Sequence, residues 1–187
     1  MSKQHKLLYA ASVAACFLLG CIIALGLQAY DAHEASPVPL AEGQTIDFSA
    51  YGFTLTVPDT YSLNDYTANN LSEGDNALFA GCAYDAEGEL YIFCYANEAG
   101  DRLEDYDEQE VFSYYISAGL NDVRTRTLGG RRFVCYRADV QMDDGTQVWY
   151  TYETWDASIH LRFETRMTPS EVLPILATIV FTGPADA

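Results

Sequence analysis

Lysine is absent from this sequence after residue 6. Beyond that point the fixed cations are eight arginines, set against 27 aspartates and glutamates that all follow Tyr30. A surface this acidic repels phosphate backbones and anionic headgroups, so nucleic acid is ruled out as a partner class. Histidine is scarce too, and only His33 and His160 follow the first 30 residues. A zinc site built from histidines lacks ligands. No GxSxG elbow occurs, and no glycine loop has phosphate-binding spacing. Nothing implies a cofactor or a resident metal, and no residue is marked as catalytic.

What is present begins with a long apolar run, Leu7 to Leu27, which carries no charge. At about 1.5 Å per residue it spans about 31 Å, close to the hydrocarbon thickness of a bilayer. Lys3 and Lys6 stand before it, and Asp31 and Glu34 after it. That asymmetry places the N-terminus in the cytoplasm and everything after Tyr30 outside. Three readings of the run compete. Leu18-Leu19-Gly20-Cys21 approximates a lipoprotein box, which would make Cys21 a lipid anchor. Ala24-Leu25-Gly26 is a weak match to a secretory cleavage site. A retained single-pass anchor needs only the length and the flanks, and it is the reading favoured, with Cys21 a helix residue. The chain then divides into a cytoplasmic end at 1–6, a spanning helix at 7–27 and a stalk at 28–44. An extracytoplasmic domain at 45–182 and a tail at 183–187 follow. About 140 residues suffice for one domain with a sizeable core.

Strand patterns dominate the domain. They are expected at 46–50, 53–57, 78–84, 90–96, 123–128, 131–142, 146–155 and 158–166, with 59–75 a polar loop or a single helical turn. A helix is expected over about 105–120, capped by Asp105 or Asp107, with Val111, Phe112, Tyr115 and Ile116 recurring at helical spacing. A second begins at Thr168-Pro169-Ser170-Glu171, a capping box with proline in the first turn, and runs to Ile179. Hairpin registers follow from keeping apolar faces together. A two-residue turn at Asp156-Ala157 sets Glu153 opposite His160. A three-residue loop at Asp143-Asp144-Gly145 pairs Tyr136 with Tyr152. A three-residue loop ending at Gly88 sets Cys82 facing Ile92 and Cys94 facing Ala80, on one sheet face.

GFTLTVP at 52–58, LGGRRFVCYRADV at 128–140, the hairpin after it, IHLRF at 159–163 and ILATIVF at 175–181 resemble the PsbP-like fold. The resemblance spans about residues 45–182. It implies an α+β architecture, a twisted and mainly antiparallel sheet with helices packed on it in an α/β/α sandwich. The relatives are small bacterial extracytoplasmic domains, often anchored and mostly of unknown function. The photosystem members that name the fold help stabilise a manganese–calcium centre. No residues here match a metal-binding motif of theirs, so that role does not carry over.

Function is read as non-enzymatic binding, to an extracytoplasmic protein or a small ligand. One sheet face is expected to carry Trp149, Thr151, Glu153 and Trp155, with His160, Arg162 and Glu164 opposite and Cys135 and Arg137 on the next strand. Trp155, Arg162 and Trp149 are the expected partner contacts, and the C-terminal helix is expected to lie over part of that face. His160 with Glu153 would be the centre of an alternative enzymatic site. A structural or sensory ectodomain is the remaining alternative. Cys82, Cys94 and Cys135 form at most one bridge, with Cys82–Cys94 the candidate pair and buried free thiols the favoured state. The acidic run Asp105–Glu110 lacks the turn glycine of a calcium loop and is read as helix-start acidity.

Overall fold

The computed structural model describes residues 37–67, 77–142 and 145–182. The apolar run at 7–27 and its Cys21 lie outside these residues, as does the tail at 183–187. Among the described residues, no helix is long and apolar enough to cross a membrane. The described part of the expected stalk is tied to the domain: Leu40 N donates to Pro174 O, and Gln44 opens the first strand.

Two sheets form the scaffold. The smaller has order β1-β2-β10, from Gln44–Phe48 (β1), Phe53–Val57 (β2) and Val180–Phe181 (β10). The larger has order β3-β4-β5-β9-β8-β7-β6, with every neighbouring pair antiparallel. Its strands are Ser62–Asp65 (β3), Ala77–Tyr84 (β4), Glu89–Ala96 (β5), Asn121–Leu128 (β6), Arg131–Met142 (β7), Gly145–Trp155 (β8) and Ile159–Thr165 (β9). Helix α1 is Glu108–Ser117 and helix α2 is Pro169–Leu176. The expected elements are present, with three differences. β3 forms inside the polar stretch read as a loop, and β1 lies two residues earlier than expected. The last helix ends at Leu176, so Val180 and Phe181 pair with β2 as a strand instead of extending it.

Because side chains alternate across a strand, the pairings define two faces of the large sheet. The first face presents Phe79, Ala83, Leu90, Ile92, Cys94, Leu161, Phe163, Tyr152, Phe133 and Leu128. They are buried against Phe53, Leu55 and Val57 of β2 and against Val172, Leu173, Ile175 and Leu176 of α2. This is the main core. Each fully buried Phe or Leu there contributes about 1.5–3 kcal/mol from apolar area alone. Gly129 and Gly130 join β6 to β7 with φ of 56° and 81°, a left-handed turn. A Cβ on Gly129 would sit 2.3 Å from Ile179 O, so the turn also needs glycine for close approach.

The second face is covered by α1 and the 3-10 turn Leu103–Asp105. Leu103, Val111, Tyr115 and Val134 form a second buried cluster, with Tyr136 and Trp155 packed against it. Asp107 caps α1: its Oδ1 accepts from Glu110 N at 2.8 Å, and Glu110 Oε2 accepts from Asp107 N at 2.9 Å. Asp105 accepts from Arg102 N at 3.0 Å. The acidic run is thus spent on two helix starts.

Three expected registers are corrected. Trp155, not Glu153, pairs with His160, so Glu153 faces Arg162. The slip is two residues, and both faces survive it. Met142 pairs with Gly145, a two-residue connection instead of three. That slip of one puts Tyr136 on the second face and Tyr150 and Tyr152 on the first. Cys135 and Arg137, expected beside Trp149 and Glu153, consequently lie on the opposite face, and Val134, Tyr136 and Ala138 take their place. Cys82 pairs with Tyr91 and Cys94 with Phe79, which sets the two cysteines on opposite faces. No bridge joins residues whose side chains leave opposite sides of a sheet. Cys82, Cys94 and Cys135 are buried, with no disulfide among them. The C-terminal helix, expected over the tryptophan face, packs on the other one because its own apolar residues complete the main core.

Candidate functional site

A cavity of about 460 Å³ opens beside α1 on the second face. Its lining comes from separate segments. Asn97 and Asp101 follow β5, Tyr106 follows the 3-10 turn, Glu110, Val111, Tyr114 and Tyr115 come from α1, and Trp155 and His160 end the β8–β9 ladder. Tyr106 lies 6.3 Å from Trp155 between ring centroids, Trp155 5.7 Å from His160 and edge-on, and Tyr114 5.3 Å from Tyr115.

Glu153 sits behind the lining, 5% exposed. A buried carboxylate needs partners, and it has two. Tyr115 Oη donates to Glu153 Oε1, and His160 Nε2 lies 3.0 Å from Glu153 Oε2. The His160–Glu153 contact foreseen from sequence is therefore made, but as a diagonal across the ladder instead of a directly opposed pair. Burial, then the Glu153 charge and its hydrogen bond, pushes the Tyr115 phenol far above its ordinary value. Tyr115 stays protonated and acts as a clamp for the carboxylate.

The rim is acidic. Asp101 accepts from Tyr106 Oη at 2.6 Å and from Asn97 Nδ2, and the Tyr106 bond holds its carboxyl below the usual range. Asn97 Nδ2 also donates to Asp156 O at 2.6 Å, which fixes the strand end carrying Trp155. No lysine or arginine is among the lining residues.

The three expected partner contacts are separated. Trp155 lines the cavity, half-buried. Arg162 lies over the rings of Phe93 and Tyr95, 5.2 and 5.6 Å from their centroids, and its Nε is 3.1 Å from Glu164 Oε1 in an ion pair without hydrogen-bond alignment. Trp149 packs 5.8 Å from Tyr91, with Arg166 over its ring. Neither Arg162 nor Trp149 is among the residues lining the cavity. Sequence reasoning did not single out Asn97, Asp101, Tyr106, Tyr114 or Tyr115 as site residues. The tyrosines before and within the second half of α1, Tyr106, Tyr114 and Tyr115, are the available signal, and they read equally well as parts of a core helix. Among the described residues, no group of three or more His, Cys, Asp or Glu could hold a metal ion.

The arrangement is similar to that of known structures. No protein-family model and no curated protein matches the chain. The solution structure of cyanobacterial PsbP (CyanoP) from Synechocystis sp. is similar at a TM-score of 0.53 and 11% identity, covering 79% of this chain and 97% of that one. A crystal structure from Bacteroides thetaiotaomicron is similar at a TM-score of 0.51 and 14% identity, covering 77% of this chain. The present chain spans only 50% of that protein's length. The domain has a PsbP-like fold, an α+β arrangement of mostly antiparallel sheet with two helices. At these identities the likeness establishes the fold alone.

Proposed function

We propose that the chain is a membrane-anchored extracytoplasmic binding domain, and that the cavity beside α1 is where its ligand sits. The cavity carries the reading: about 460 Å³, aromatic walls and a few fixed polar groups are the dimensions and chemistry of a small-molecule site. The anchor rests on the apolar run Leu7–Leu27 with Lys3 and Lys6 on its cytoplasmic side. Binding is favoured over catalysis by what faces the cavity. Its lining holds no serine, cysteine, threonine or lysine, and its carboxylates Asp101 and Glu110 already accept hydrogen bonds from Tyr106 and Asn97 and from the Asp107 amide. His160 Nε2 and Tyr115 both hold the Glu153 carboxylate, which ties the sheet end to α1 behind the cavity.

The binding reading is tested by screening a small-molecule library against the full chain in non-ionic detergent, using ligand-observed NMR. Hits should lose their signal against Trp155→Ala, with circular dichroism confirming that this variant is folded. Tyr114→Ala, at a position 70% exposed, serves if the tryptophan variant does not fold. Hits that bind both folded variants as well as the parent would overturn the cavity as the site. The anchor is tested by protease shaving of whole cells with intact-mass measurement. A mass matching a chain that starts at an acylated Cys21 would replace the spanning helix by a lipid anchor.

A further inference from the structure

Resting on the cavity as the ligand site, we infer that it selects a small alkylated ammonium ion, seated against the rings of Trp155, Tyr106, Tyr114 and Tyr115. Three observations converge on positive charge. The walls are aromatic from both sides, the sheet end giving Trp155 and α1 giving Tyr114 and Tyr115. Ring faces carry negative potential and attract cations, tryptophan most strongly. Asp101 and Glu110 stand in the lining, Glu153 lies directly behind it, and no arginine or lysine lines it to offset them. The Tyr106 hydroxyl favours the ionised form of Asp101, so the rim keeps its charge.

The hydrogen bonding decides what kind of cation fits. Asp101 Oδ2 is taken by Tyr106 and Oδ1 by Asn97. Glu110 Oε2 is taken by the Asp107 backbone. Glu153 is taken by Tyr115 and His160. Carboxylates already engaged in this way supply a negative field more than directed acceptors. A bare ammonium, which seeks three acceptors, gains less here than an alkylated one, whose diffuse charge and methyl groups suit ring faces and apolar Val111.

The test uses choline and its neutral isostere 3,3-dimethylbutan-1-ol, titrated calorimetrically into the full chain in dodecyl maltoside, which carries no ammonium group. Choline should bind saturably, and the isostere should bind about tenfold more weakly or worse, the ratio expected of a desolvated cation–π site. Asp101→Asn and Glu110→Gln, both near-isosteric, should each weaken choline about two- to fivefold, and added salt should reduce that difference. Tyr114→Ala should weaken it further without disturbing the fold. Equal binding of choline and the isostere would overturn charge selection while leaving the cavity as a ligand site. Absence of choline binding would overturn this inference alone, because the library screen above reads ligands of every class. A library screen that yields no hit on the parent chain, or hits that bind the folded variants equally well, would overturn the underlying reading.

Discussion

The two faces of the large sheet are built by different rules. The first is closed by a second sheet and by α2, and its inward residues are almost all apolar, from Phe163 and Ile92 to Leu176. The second carries α1 at one end, and there the contacts mix rings with ionisable groups: Tyr115 with Glu153, Glu153 with His160, Tyr106 with Asp101. Farther along the same face Arg162 lies over Phe93 and Tyr95. A face that serves stability alone has no need of a buried carboxylate, which costs free energy to desolvate and is retained where geometry must be specific. The difference separates a close-packed scaffold from the face that carries the candidate site.

The largest effect should come from opening the first face. Phe163 is fully buried and meets Phe53 at 6.2 Å and Phe133 at 6.4 Å between ring centroids. Phe163→Ala should cost about 3–5 kcal/mol, read as a drop in the urea midpoint, since aromatic-to-alanine changes in a close-packed core leave a cavity. A loss under about 1 kcal/mol would show that this face is not the main core.

Breaking the second face should cost less and act through polarity. Tyr115→Phe removes only a hydroxyl, yet leaves Glu153 Oε1 buried without that partner. A loss of about 1.5–3 kcal/mol is expected, the range for a hydrogen bond to a charged group. A double-mutant cycle with Glu153→Gln sharpens it. Coupling near zero would mean that the pair contributes nothing beyond its separate parts.

Much of this architecture is legible in the sequence, and the rest fails at identifiable places. Most strands and both helix starts follow from periodicity and capping residues, while the PsbP-like resemblance rests on particular stretches such as GFTLTVP and LGGRRFVCYRADV. The hairpin registers do not, because two aspartates lengthen their turns. Asp85 Oδ1 accepts from the amides of Glu87 and Gly88, and Asp85 N donates to Gly88 O. Asp156 repeats the device with the amides of Ser158 and Ile159 and the carbonyl of Ile159. Both connections thereby take four residues. At Asp156 the error against a two-residue turn is even, so the faces stay right. At Asp85 the error against three is odd, and Cys82 and Cys94 part company. At the β7–β8 turn, polarity misleads for another reason. β7 is buried on both sides, Phe133 toward one core and Val134 toward the other, so apolar matching cannot choose. The Tyr115–Glu153 contact joins residues 38 apart, and no local pattern announces it.

Asp156 ties the end of the first face to the end of the second, since Arg131 bonds it at 2.8 Å while its turn positions His160. Burial raises its pKa, but hydrogen bonds from Ser158 and Ile159 and from Arg131 outweigh that and bring it down to about 2. A depressed carboxyl stabilises the fold above its unfolded value near 4, and the contribution is lost as pH falls through about 2. Asp156→Asn should therefore flatten the acid limb of the stability curve between about pH 4 and pH 2. At neutral pH it should cost about 1 kcal/mol or less, because the site is about one-third exposed and screened. An unchanged acid limb would remove Asp156 as its source.

The smallest expected effect separates the faces chemically without disturbing either. Cys82 lies on the second face, and burial with the nearby Glu89 charge pushes its thiol up to about 11. Cys94 lies on the first, and burial pushes it up to about 12. Cys135 shares the first face with Cys94, but β9 and β8 stand between their strands, a separation of about 14 Å at about 4.8 Å per strand. None of the three can bridge another, and at pH 8 almost none of Cys82 or Cys94 is thiolate, the reactive form. Reductant should leave the melting temperature within about 1 °C of its value, a shift too small for loss of a disulfide in a domain of this size. Iodoacetamide at pH 8 should label Cys82 and Cys94 only once urea unfolds the domain, as peptide mass mapping reads. Rapid labelling of Cys82 in the native state, with Cys94 protected, would show that the sheet opens readily on its second face. A mapped Cys82–Cys94 link would overturn the register of β4 against β5, and with it the assignment of these two residues to opposite faces.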